Sequence, residues 1–195
     1  MCLDSFTRIN LKNTYQGNQL KDRMRKSITK FQSHYVPERN QKYKLTHGDQ
    51  LLLDVKESME KIWGENVLTH ILPHYQRPDI IYCFDDNHKS VTPKILDCFP
   101  PHYQGEILSK EYLLSQKEEL ADMKKHQLIA VVVGGWNFFI RDTNIPTGVL
   151  RMKIEQLELI GYKTILVCWS EWASMSVSQK KEYLEEAVHM ALTKK

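Results

Sequence analysis

The chain has 195 residues, of which 42% are hydrophobic and 26% charged, and its formal net charge is +3. That length supports one good core with room for an appended segment, and the balance is that of a globular rather than a disordered or fibrous protein. The most apolar runs, residues 128–133 and 164–169, are strand-sized and too short for a membrane-spanning helix.

Charge is unevenly placed. Residues 1–45 hold ten Lys or Arg against three Asp or Glu, a local +7 that leaves −4 for the remainder. A basic arm rich in Asn and Gln suits contact with a polyanion, the alternative being a solvated linker. The arm has an early Asp4 and no small-residue cleavage pattern, so any targeting signal is expected upstream. Leu20, Met24 and Ile28 allow one short amphipathic helix. The chain therefore divides into an arm, residues 1–48, and an α/β domain, residues 49–195.

From Asp49 to Trp63, Leu52, Val55, Met59 and Ile62 recur at helical spacing, and Gly64 closes the helix. Residues 67–72 read as a strand stopped by Pro73. Residues 79–84 read as a second strand, ended by the turn formers Asp85, Asp86 and Asn87. Residues 88–108 form an irregular connection, and the charged stretch 110–125 is helix-prone. The continuous apolar run 128–133 predicts a strand covered on both faces.

An amphipathic helix follows over 147–159, with Leu150, Ile154 and Leu157 inward and Gly161 as its stop. Residues 163–169 give another buried strand. Ser178 is expected to open a last helix whose Tyr183, Leu184, Ala187, Val188 and Ala191 face the core. Strand, helix and strand across 128–169 make a β-α-β unit with parallel pairing. The expected fold is a small mixed α/β sheet with that β-α-β core, flanked by helices. Cys2, Cys83, Cys98 and Cys168 are scattered without a Cys-x-x-Cys pair, so neither a zinc ribbon nor a redox motif is supported.

Three segments carry a resemblance. Leu68-Thr-His-Ile-Leu-Pro-His-Tyr75 precedes Asp79-Ile-Ile-Tyr-Cys-Phe-Asp-Asp-Asn87, and Ile129-Ala-Val-Val-Val133 follows. The third and most specific is Gly148-Val-Leu-Arg-Met-Lys-Ile-Glu-Gln-Leu-Glu-Leu-Ile-Gly-Tyr-Lys-Thr-Ile-Leu-Val-Cys-Trp-Ser-Glu-Trp172. In order and spacing they resemble the C-terminal RAP module of the FAST-kinase-domain family. The resemblance implies a restriction-endonuclease-like fold, similar to the very-short-patch-repair endonucleases and more distantly to the PD-(D/E)XK nucleases. It implies single-stranded or precursor mitochondrial RNA as partner, with other RNA-processing proteins, and a mitochondrial matrix or RNA-granule location. A degenerate nuclease fold acting only as a scaffold is the alternative. The family name suggests kinase activity, but the chain has no Gly-rich loop with lysine, no His-Arg-Asp and no Asp-Phe-Gly.

Under that likeness Pro78-Asp79 matches the first nuclease element, with Asp79 as the ligand of Mg2+ or Mn2+. The second element fails, because residues 129–135 hold neither an acid nor a lysine. The repair-endonuclease variant would use Asp79, a backbone carbonyl of Val132 or Val133, and His74 or His88 as acid or base. Asp85 and Glu171 complete the candidate catalytic set. The competing readings are an Asp79 bonded to a nearby backbone N–H, a turn role for Asp85, and a Glu171 satisfied locally beside a core Trp169. Trp136 either stacks on a base after Gly134-Gly135 or fills the core. Arg141, Arg151 and Lys153 are candidate RNA contacts, helped by helix N–H groups near Thr147 and Gly148.

Overall fold

A computed structural model describes residues 6–11, 14–18, 20–21, 23–24, 37–40, 44–64, 68–70, 79–91 and 126–193. Half of the basic arm, Ile28, His74 and the whole of 92–125, including the proposed charged helix, lie outside the described residues.

The first long helix, α1, runs His47–Trp63. It starts two residues earlier than its apolar spacing suggests because Thr46 and Asp49 form a capping box. The Thr46 hydroxyl accepts from Asp49 N at 3.2 Å, and Thr46 N donates to the Asp49 carboxylate at 2.9 Å. Leu52, Val55 and Met59 are buried along one face. Each stabilises by roughly 1.5–3 kcal/mol against about 1 kcal/mol for a cap, so packing rather than capping holds α1 in place.

Four strands follow, β1 (Leu68–His70), β2 (Asp79–Phe84), β3 (Gln127–Gly134) and β4 (Lys163–Cys168). They lie in the sheet in that order, β1 and β2 antiparallel, β2 and β3 antiparallel, β3 and β4 parallel. Every described residue of β2 is buried, and β3 is buried from Leu128 to Val132. That is why both read as continuous apolar runs rather than alternating ones. The parallel pair is joined through α2 (Gly148–Leu159), completing the expected β-α-β unit.

Two layers cover the sheet. On one face α2 packs Leu150 and Leu157 against Ile81, Cys83, Ala130 and Val132. On the other, α1 and the last helix α4 (Val177–Thr193) enclose Ile80, Tyr82, Ile129, Val131 and Val167. Of the five residues expected inward on α4, Leu184, Val188 and Ala191 are buried and Tyr183 and Ala187 partly so, while Leu192 is buried as well. Its cap is Ser176 rather than Ser178. Ser176 N donates to Gln179 Oε1 at 2.8 Å and its hydroxyl accepts from Gln179 N at 3.4 Å.

Two features depart from the sequence reading. A short helix, α3 (Trp169–Ser174), follows β4 directly where a strand end was expected to continue through Trp169. Trp172, not Trp169, is the core residue, with Trp172 1% and Trp169 41% exposed. The second departure is a π-helical turn at Phe6–Asn10 that docks on α2. Its Ile9 enters the core cluster, and Gln156 Nε2 donates to Asn10 Oδ1 at 2.8 Å. This part of the arm is built into the domain.

Candidate nucleic-acid interface

The strand order fixes which residues can meet. Because β2 runs against β3, Asp79 lies one step beyond the Ile80–Val131 pair, at the end of the sheet where β3 and β4 finish. Asp85 and His88 leave β2 at the other end, about 20 Å away at ~3.3 Å per residue. The expected set of Asp79, Asp85, His88 and Glu171 is therefore split.

Asp85 is engaged in its own turn. Its Oδ1 accepts from Asn87 N at 2.9 Å and Lys89 N at 2.8 Å. His88 has a positive φ of 59° in that turn, and its ring lies edge-on to His189 at 6.1 Å. Neither residue is brought to Asp79.

Asp79 is 1% exposed, and Lys153 Nζ of α2 approaches its Oδ1 to 2.7 Å. The contact is one of charge with charge. Among the described residues neither carboxylate oxygen accepts a well-aligned hydrogen bond, so the competing reading of Asp79, a backbone N–H partner, is not met there. Burial pushes the Asp79 carboxyl up, against the opposing pull of the Lys153 charge. Lys153 corrects a second expectation. It faces inward, its side chain 11% exposed, because it lies one turn from Leu150 and Leu157 on the packed face of α2. It is not a surface contact for RNA.

The donors do not fit a divalent cation. Magnesium keeps several waters and needs room for them, whereas Asp79 is buried beneath the Lys153 ammonium. Among the described residues no three His, Cys, Asp or Glu side chains come together. Glu171 reaches the same end of the sheet but is exposed, and Asn144 Nδ2 donates to its Oε1 at 2.9 Å.

What is exposed at that end is aromatic. Trp136 is 71% exposed in a short 3-10 turn, Trp136–Phe138, immediately after β3. Trp169 begins α3 immediately after β4. Since β3 and β4 are parallel and Gly134 pairs with Cys168, the two indoles leave neighbouring strand ends. Gly134 permits this close turn. A Cβ there would lie 2.7 Å from the Phe139 ring, which packs back over the strand.

Two grooves share these tryptophans. One, of about 860 Å3, has Leu45, Leu51, Trp172 and Ala173 with cations Arg39 and Lys180 at its walls. The cations are paired. Arg39 Nε meets Glu57 at 2.6 Å, and Lys180 Nζ meets Asp54 at 2.8 Å while lying over the Trp172 ring at 4.9 Å. Trp172 Nε1 donates to the same Asp54 oxygen at 2.7 Å. Burial alone would raise Asp54, but the hydrogen bonds from Lys180 and Trp172 outweigh it and hold the carboxyl below its ordinary value.

The other groove, of about 850 Å3, is lined by Asn137, Arg141, Asn144 and Ser170 beside the same indoles. Asn144 is fixed from two sides, its Oδ1 accepting from the Ser170 hydroxyl at 2.8 Å and its amide donating to Glu171. Arg141 stands on the loop tip with its side chain 95% exposed, 3.8 Å from an equally open Asp142. Arg151 is exposed on α2 and lines neither groove. Sequence reasoning placed Trp136 here as one of two readings, but missed Trp169, Asn144 and Lys180. The pair of tryptophans directly after a buried strand was the usable signal.

Residues 131–187 match the RAP domain family model, a stretch that covers the second half of β3, Trp136 and Trp169, α2, β4, α3 and the first part of α4. The RAP domain is generally an RNA-binding domain. No curated protein and no solved structure matches the chain.

Proposed function

We propose that this chain binds RNA through the surface where β3 and β4 end. The observation that carries the reading is the pair of exposed indoles, Trp136 and Trp169, set side by side in a double groove within the RAP-domain match. Large aromatics left in solvent at a concave site are the usual platform for unpaired bases, whose stacking contributes about 1–3 kcal/mol each. Arg141 at the loop tip and the basic residues of the arm supply attraction for phosphate. The finer placement, an RNA-processing or stability factor of the mitochondrial matrix within the FAST-kinase-domain family, rests on the sequence resemblance over residues 68–172. Asp79 is held by Lys153, and among the described residues no cluster of His, Cys, Asp or Glu joins it, so the reading is one of binding without cleavage.

The test is binding of a labelled single-stranded RNA to the full chain at increasing salt. Affinity that falls steeply with salt, and falls again on Trp136→Ala, is the expected result. Absent or salt-insensitive binding would overturn the reading and leave a scaffold role in its place.

A further inference from the structure

The two grooves differ in a way that divides a nucleotide between them, and we infer that the Leu45–Trp172 groove takes an unpaired base while the Arg141 groove takes its sugar-phosphate. The inference rests on the RNA-binding reading above and deepens it.

The first argument is charge. The base groove contains Arg39 and Lys180, which would ordinarily attract phosphate. Both already face carboxylates, Glu57 at 2.6 Å and Asp54 at 2.8 Å. A phosphate there would have to displace a hydrogen-bonded carboxylate or lie beside it, and like charges at such range repel. Arg141 has a weaker hold on its neighbour, with Asp142 at 3.8 Å and both side chains more than nine-tenths exposed. An exposed pair of that kind contributes little and exchanges readily for a better partner.

Surface chemistry is the second argument. Leu51 and Ala173 join the two indoles in lining the base groove, and a base offers a π-face of matching character. The Arg141 groove instead presents Asn137, Asn144 and Ser170. The amide of Asn144 is immobilised by Ser170 and Glu171, a fixed polar wall suited to the hydroxyls of ribose. Size permits the division, as each groove exceeds the few hundred Å3 that a small ligand site needs.

A consequence separates this arrangement from RNA binding in general. A base can enter only when it is unstacked and unpaired, so duplex RNA of the same sequence lacks the group that the apolar groove takes.

The test uses the full chain with a single-stranded RNA of about ten nucleotides, within the span of single-strand binding modules, and its blunt duplex. Ala173→Phe fills the base groove from an exposed position. Trp136→Ala, also at an exposed position, removes a wall that the two grooves share and serves should the first variant alter the fold, which thermal melting reports. Expected are roughly ten-fold weaker single-strand binding for either variant with the salt slope unchanged, and a slope about 0.7 shallower for Arg141→Ala. Equal binding of strand and duplex by the wild type, or an unaltered slope in Arg141→Ala, would overturn the division while leaving RNA binding intact. Failure of the wild type to bind either RNA would instead sink the underlying reading.

Discussion

Each face of the sheet carries one Asp–Lys pair that ties an element to its neighbour, and the two pairs are of opposite character. Asp79 and Lys153 join β2 to α2 with side chains 1% and 11% exposed. Asp54 and Lys180 join α1 to α4 with side chains 43% and 20% exposed, and Trp172 adds a second hydrogen bond to the carboxylate. Burial dominates the first carboxyl and pushes it up. Burial is the largest single influence on the second as well, but the hydrogen bonds from Lys180 and Trp172 and the nearby positive charges together outweigh it and hold that carboxyl down. The lesson is that the same two residue types, at nearly the same contact distance, act as a buried cross-link in one place and as a partly solvated brace in the other.

Breaking the buried pair from one side has the largest expected effect. Asp79→Ala or Lys153→Met leaves a charge stranded in the core and should cost about 3–5 kcal/mol, read from urea unfolding. Replacing both residues by apolar ones should restore much of it, and a double variant as unstable as the sum of the singles would refute the pairing.

Trp172→Phe comes next. It removes the indole N–H from Asp54 and leaves a small void at a residue that is 1% exposed, which should cost about 2–3 kcal/mol. Lys180→Ala, at the half-solvated pair, should cost only about 1 kcal/mol or less once solvent screening is allowed for. A larger loss than that of Trp172→Phe would show that the ion pair and not the indole is the brace.

The smallest effects are in pH. Asp54, with its folded-state carboxyl lowered, contributes stability that is present above its ordinary range and lost as pH falls through the lowered value. Asp79 has the reverse sign. Its folded-state carboxyl is raised, so stability from this group declines as pH climbs from the ordinary range through the raised value. Stability against pH for Asp54→Asn should lose the acid-side slope, and a slope that persists unchanged would remove Asp54 as its source.

Much of the fold was legible because its signals are local. The stripe Leu52, Val55, Met59 gives α1, and the uninterrupted apolar runs give β3 and β4. The β-α-β crossover follows from their order. The site was harder to read. Lys153 looked like surface charge because its partner is 74 positions earlier, although its place among Leu150, Ile154 and Leu157 marks a lysine on an inward stripe. The two tryptophans after β4 exchanged roles because the backbone changes period there. A strand's alternation would bury Trp169, but a helix starting at that residue brings Trp172 to the core. The acidic turn at Asp85 resembled a site only while the direction of β2 was unknown.

The docking of Phe6–Asn10 on α2 also sets an order of events. Asn10 and Gln156 are 146 positions apart, so on a growing chain the turn Phe6–Asn10 waits for the crossover helix α2 before it has a surface to meet. At ~5–20 residues per second that interval is on the order of ten seconds. Throughout it Ile9 stays outside the core that later buries it. The turn is thus placed only once α2 exists, although it precedes all four strands in the chain.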